Sequence, residues 1–102
     1  MKNYTLIISE IARKDLNDIW LYSYEKWSIS QADRYFYLLN NNFLKLASRK
    51  KKGKINTFFH DTYYVLKVKL HLIFYKLDEE KNELIILKIL HKRMDIVRRL
   101  KK

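Results

Sequence analysis

Three histidines, a surplus of lysine and arginine, and no cysteine set the limits on the chemistry open to this chain. Cutting an RNA strand without a metal takes a base for the ribose 2′-hydroxyl, cations for the phosphate and an acid for the leaving oxygen. His91, Arg93, Lys67 and Lys88 supply those residue types within the second half of the sequence. The plainer reading of the same residues is that Lys67 and Lys88 are solvent-facing strand lysines and that Arg93 pairs with Asp95. Tyr63, Tyr64 and Tyr75 offer faces on which bases stack, although aromatic residues in strands are more often packing residues. His71 and His91 fall at the ends of neighbouring strands and can approach each other, whereas His60 lies apart in sequence. No His-x-x-x-His or paired-carboxylate pattern accompanies them, so neither a metal nor a cofactor is expected. Gly53 is the only glycine, which excludes a glycine-rich phosphate loop, and no Ser/His/Asp constellation stands at a recognisable spacing. The missing cysteines remove disulfides, thiolate metal sites and a thiol nucleophile together.

Charge is the broader signal. The net charge is +11 over 102 residues, and its distribution is lopsided. Residues 1–47 hold six Lys/Arg against five Asp/Glu, and residues 48–102 hold sixteen against six. The positive field gathers in Arg49-Lys50-Lys51-Lys52-Gly53-Lys54 and between Lys92 and Lys102. Such a field suits nucleic acid, a nucleic-acid machine or an acidic protein partner, with a solvated basic surface as the plain alternative.

The elements that must position these residues follow from periodicity. Residues 4–8 (Tyr-Thr-Leu-Ile-Ile) read as a short strand. Ser9 is a plausible N-cap for a helix whose stripe is Ala12, Leu16, Ile19 and Ser23 and which fades near Trp27. A second helix is expected to open at Ser30, with Asp33 close to a capping-box position. Its apolar stripe is Ala32, Tyr35 or Phe36, Leu39, Phe43 and Leu46, with Asn40-Asn41-Asn42 on the wet face. The short connection makes the two helices an antiparallel hairpin. After the basic loop 48–54 the period becomes strand-like, with strands expected over 63–69, 71–77 and 83–90 in an antiparallel meander. The result is a single domain, 1–102, of the α+β class in the order β-α-α-β-β-β. A helix hairpin covers one face of a mostly antiparallel four-stranded sheet, and a basic C-terminal tail follows.

Strict alternation would place Ile85, Leu87 and Ile89 on one face of the last strand and Leu84, Ile86, Lys88 and Leu90 on the other. In the strand before it, His71, Ile73, Tyr75 and Leu77 oppose Leu72, Phe74 and Lys76. Both faces of the sheet are thus largely apolar, and a hairpin covers only one. The other calls for a tail, a second copy or a partner. The apolar stretch at Tyr4 to Ile8 is too short for a secretory leader, and no segment approaches the roughly 18 apolar residues of a membrane span. A cytoplasmic protein that does not enter the membrane is expected.

Four segments, in order, resemble the RelE/ParE family of bacterial toxins. Tyr4-Thr-Leu-Ile-Ile-Ser-Glu-Ile-Ala-Arg-Lys-Asp-Leu-Asn-Asp-Ile-Trp is similar to its opening strand and helix. Trp27-Ser-Ile-Ser-Gln-Ala-Asp-Arg-Tyr is similar to the start of its second helix. His71-Leu-Ile-Phe-Tyr-Lys resembles its third-strand signature and Ile89-Leu-His-Lys-Arg-Met-Asp its C-terminal one. The last segment looks like the ParE branch. That resemblance implies a toxin of a type II toxin–antitoxin module that inhibits DNA gyrase and is not itself an enzyme, with His91, Arg93, Asp95, Arg98 and Arg99 toward the target. It also implies a cognate acidic antitoxin, laid over the hairpin and over sheet residues Leu72, Phe74, Leu84 and Ile86. The RelE branch implies instead an endoribonuclease acting on mRNA in the ribosome, but this chain has no tyrosine after Tyr75. A homologue that has lost its toxicity and serves only as a binding module is the third reading. Two departures stand out: no proline follows the second helix, and Lys67 stands where the family commonly has arginine, which keeps charge but loses the planar fork.

Overall fold

The computed structural model describes residues 3–58 and 61–91. Its elements run β1 (Thr5–Ile8), α1 (Glu10–Lys26), α2 (Ile29–Ala47), β2 (Lys54–Phe58), β3 (Asp61–Val68), β4 (His71–Asp78) and β5 (Glu83–His91). The fold is α+β, as the periodicity implies, but the sheet has five strands rather than four, in the order β1-β5-β4-β3-β2. The added strand is β2, which follows the basic loop and pairs antiparallel with β3 from Lys54↔Val65 to Phe58↔Asp61. Its sequence, Lys-Ile-Asn-Thr-Phe, lacks an apolar run because it is an edge strand with little to bury, and Ile55 stays 66% exposed. β1 lies parallel to β5, and the other pairings are antiparallel. No helix among the described residues is long and apolar enough to cross a membrane.

Local chemistry sets the helix ends. The Ser9 hydroxyl accepts from the Ala12 amide at 3.0 Å and starts α1. Helix α2 begins earlier than Ser30. Ser28 is its N-cap, accepting from Gln31 N at 3.1 Å. Ser28 and Gln31 hold the Ser-x-x-Gln spacing of a capping box, which serves better than Ser30 with Asp33. Asp33 instead accepts from the Trp20 indole at 2.9 Å, tying the two helices across the hairpin. Ala12, Leu16 and Ser23 are buried on α1, and Ala32, Leu39, Phe43 and Leu46 on α2.

Two apolar clusters lie on opposite sides of the sheet. Beneath the hairpin, Leu16, Leu39, Phe43 and Leu46 meet Val68, Ile73, Tyr75, Leu84, Ile86 and Ile89. On the far face Tyr63, Phe74 and Leu90 are buried together, flanked by Val65, Leu72 and Leu87. The alternation in β4 is the expected one, but in β5 it breaks. Phe74 pairs with Lys88 and Tyr75 with Ile86, so Leu87 is an extra residue in a bulge. Leu84, Ile86 and Ile89 consequently share the helix side, while Lys88 and Leu90 face away.

The bulge has a structural cause. β1 ends at Ile8 because the chain turns into α1, leaving the outer edge of β5 without a strand beyond Ile86. Helix α1 takes over. Ser9 N donates to Ile86 O at 3.0 Å and Ser9 Oγ to Leu87 O at 2.8 Å, and Asp15 accepts from Ile89 N at 2.9 Å.

Candidate functional site

The basic loop is fixed at both ends. Helix α2 closes with Ser48, and Arg49 takes a positive φ of 66° so that Lys50 N and Lys51 N both reach Lys45 O. Asn42, expected on the wet face, is buried at 4% exposure and acts as the loop's anchor. Its amide donates to Leu38 O at 2.8 Å, and its oxygen accepts from Lys51 Nζ at 2.7 Å. Gly53 N donates to the hydroxyl of buried Tyr75 at 2.7 Å. A Cβ at Gly53 would stand 2.6 Å from Val65 O. The glycine is required by close approach to β3 and not by its φ, which is not positive.

These anchors set Lys52 and Lys54 beside a shallow groove of about 560 Å³ on the far face of the sheet, lined also by Lys67, Val65, Leu72 and Phe74. Lys67 pairs with Leu72 and Lys88 with Phe74, and cross-strand partners share a face. Lys52, Lys54 and Lys67 therefore border an apolar floor, with Lys88 on the same face beside Phe74. Cations around apolar and aromatic residues can hold a phosphate backbone or an acidic amphipathic segment.

A second cleft, of about 1010 Å³, opens on the hairpin side between the two helices and the β3–β4 turn. At its base His71 and His91 face each other as register partners, with ring centroids 5.2 Å apart and edge to face. His71 is 9% exposed, and its Nδ1 lies 2.6 Å from the Tyr35 hydroxyl. Burial, helped by the neighbouring His91, pushes the His71 imidazole down to about 4, so it is neutral at neutral pH. Burial raises the Tyr35 hydroxyl above its ordinary value, and the Leu70 backbone opposes that shift. Asp15 is likewise raised, chiefly by burial, although Ile89 N and the charge of Lys88 pull it back.

The residues suggested by the sequence divide between these faces. The structure brings Lys67 and Lys88 to the basic face and His91 to the hairpin side, so those two lysines of the set proposed for RNA cleavage are not gathered around His91. Leu72 and Phe74 lie on the basic face. Leu84 and Ile86, at 1% and 0% exposure, are sealed under the hairpin, so these four do not form one surface. The shift follows from the bulge at Leu87, which strict alternation does not anticipate. Arg93, Asp95, Arg98 and Arg99 lie outside the described residues. Sequence reasoning missed Tyr35 as the partner of His71 and the groove-lining roles of Lys52 and Lys54. Gly53, alone in the chain beside four lysines, was the available signal for the latter.

Comparison with known proteins places this geometry in context. The family described as ParE toxin of type II toxin–antitoxin system, parDE, matches residues 6–96. Toxin ParE1 of Mycobacterium tuberculosis is 28% identical over 94 residues, covering 92% of this chain and 95% of that protein. Toxin ParE1 of Caulobacter vibrioides is 30% identical over 95 residues, covering 93% and 94%. Among solved structures, the toxin–antitoxin complex RelBE2 from Mycobacterium tuberculosis contains a similar chain, with TM-score 0.70, 19% identity and coverage of 92% and 97%. The chromosomal ParDE system from P. aeruginosa gives TM-score 0.73 at 14% identity, with coverage of 86% and 95%. At those identities the two structures establish the fold.

Proposed function

The chain belongs to the ParE toxin family of type II toxin–antitoxin systems, and we propose that it poisons DNA gyrase and is held silent by a cognate acidic antitoxin. One observation carries the choice of a gyrase poison over a nuclease. His91 stands across the sheet from Lys67 and Lys88, so a base and the phosphate clamps do not converge on one reacting atom. The basic face, with Lys52, Lys54, Lys67 and Lys88 around Leu72 and Phe74, is then a binding surface for the gyrase–DNA target. The antitoxin partner is supported by the family match and by the solved structures of similar fold, which come from toxin–antitoxin systems. An acidic antitoxin suits the positive second half of the chain. Its seat includes the outer hairpin, where Ile11, Tyr22, Trp27, Ile29 and Tyr37 are each more than half exposed.

The test is a supercoiling and cleavage assay on purified gyrase. Inhibition with accumulation of cleaved DNA, reversed by the antitoxin, is the expected result. No effect at micromolar excess sinks the reading. A second reading, ribosome-dependent cleavage of mRNA, draws on the same lysine-lined groove as a phosphate clamp. Primer extension on mRNA after induction separates the two: codon-positioned cuts support the nuclease, and intact message supports the gyrase poison. If overexpression without antitoxin leaves growth unchanged, the chain is a binding module only.

A further inference from the structure

The His71–His91 pair takes no part in the proposed reading, yet its rings face each other as cross-strand partners and His71 is held by Tyr35. We propose that His71 and His91 form a two-imidazole site for a divalent late transition-metal ion, the class of Zn²⁺, Ni²⁺ and Cu²⁺, at the base of the hairpin-side cleft. The two residues are direct cross-strand partners at the ends of β4 and β5. That arrangement puts two Cβ atoms on one face at roughly 5 Å, and the rings lie 5.2 Å apart by centroid.

Hydrogen bonding orients the first ligand. The Tyr35 hydroxyl lies 3.3 Å from Val68 O and 2.6 Å from His71 Nδ1. The 2.6 Å contact engages Nδ1 whichever partner supplies the proton; in the tautomer in which His71 donates Nδ1–H to the Tyr35 oxygen, the hydroxyl proton turns to Val68 O. The lone pair is then at Nε2. Holding one ring nitrogen as a donor so that the other is the ligand is how proteins prepare histidine for a metal. Both histidines and Tyr35 line the cleft, which gives an ion a path from solvent.

The surroundings select the ion. Arg34 and Lys69 line the same cleft and Asp18 is its one carboxylate, so the local field does not favour a cation. Affinity must come from imidazole coordination, which Zn²⁺, Ni²⁺ and Cu²⁺ make and which Mg²⁺ and Ca²⁺ do not. No cluster of three or more His, Cys, Asp or Glu side chains exists among the described residues. The described residues therefore contribute two ligands, and other donors, such as water or a bound partner's side chain, complete the shell.

The experiment uses the full chain and the metal alone. Calorimetric titration of metal-free protein near pH 7.5 with Zn²⁺ and Ni²⁺ is expected to give one ion per chain, with Mg²⁺ giving none. Trace Cu²⁺ is expected to broaden the ring protons of His71 and His91 before any other signal. His91→Ala should lower affinity by at least about tenfold, Tyr35→Phe by about tenfold through the lost orientation, and His60→Ala not at all. Should a variant fail to fold, the copper broadening in the wild-type chain still decides. Broadening centred on His60 or on carboxylates, or wild-type affinity no better than that of His91→Ala, overturns the proposal. No readout depends on gyrase or on growth, so failure here is distinct from failure of the toxin reading.

Discussion

Gly53→Ala tests how the basic loop is held, because two physical accounts of that glycine predict opposite signs. If its conformational freedom mattered little, alanine would stabilise by about 0.4–1 kcal/mol through a less disordered unfolded chain. The φ of Gly53 is not positive, so nothing in the backbone angle forbids alanine. Close approach argues the reverse. The added Cβ would lie 2.6 Å from Val65 O and 2.8 Å from Val65 C, roughly 0.8 Å inside ordinary contact with the carbonyl oxygen. Both atoms are backbone of β3, so the loop rather than a side chain must give way. Moving it breaks the 2.7 Å bond from Gly53 N to Tyr75 Oη and leaves that hydroxyl on a side chain only 1% exposed.

Overpacking costs about 1–3 kcal/mol, and an unsatisfied buried group about 1–3 kcal/mol. The two overlap, since one displacement relieves the clash while breaking the bond, so about 2–4 kcal/mol in all is expected. For a domain of this size that lowers the unfolding midpoint by about 10–25 °C. Urea unfolding followed by circular dichroism, with thermal melts alongside, measures it. Tyr75→Phe, which removes the hydroxyl and leaves the shape, should lose about 1–2 kcal/mol. A Gly53→Ala protein as stable as wild type, or more so, refutes the close-approach account.

Two further outcomes are expected. His71 has a folded-state pKa of about 4 against the ordinary 6.5, so the unfolded chain binds the proton first; its contribution, on the order of 3 kcal/mol, is complete above pH 6.5 and fades as pH falls toward 4. Asp15, shifted up, opposes this at the acid end; in chelator-containing buffer, stability that stays flat between pH 6.5 and 4.5 would contradict the neutral, buried assignment. Lys67→Glu, at an exposed position lining the basic groove, should weaken target inhibition by about tenfold or more while shifting stability by less than about 1 kcal/mol. Equal inhibition by mutant and wild type in the supercoiling assay would remove the groove from the target interface.

How much of this was legible in advance varies by residue. The α1 stripe of Ala12, Leu16, Ile19 and Ser23 and the β4 alternation are local periodicities, and a chain that buries one face per element keeps them. The family signatures are legible for the same reason, since they are short runs read in order. Strand β2 escaped because an edge strand buries little and so carries no alternating signal. Asn42 looked wet because its anchoring partner, Lys51, comes from beyond the end of the helix.

The sequence by itself determined the α+β class, the helix hairpin, the family and the concentration of charge after residue 47. Each is a property of composition or of neighbours a few residues apart. Tertiary structure alone decided which residues of β5 share a face. Leu87 bulges because β1 is four residues long and Ser9 and Asp15 of α1 serve the vacated edge of β5. That one extra residue reverses the side-chain parity of the strand. It leaves Leu84 and Ile86 under the hairpin, sets Lys88 beside the basic groove and turns His91 toward His71 and Tyr35. A parity of two amplifies a single insertion into an exchange of faces, and its cause lies more than seventy residues away in the chain.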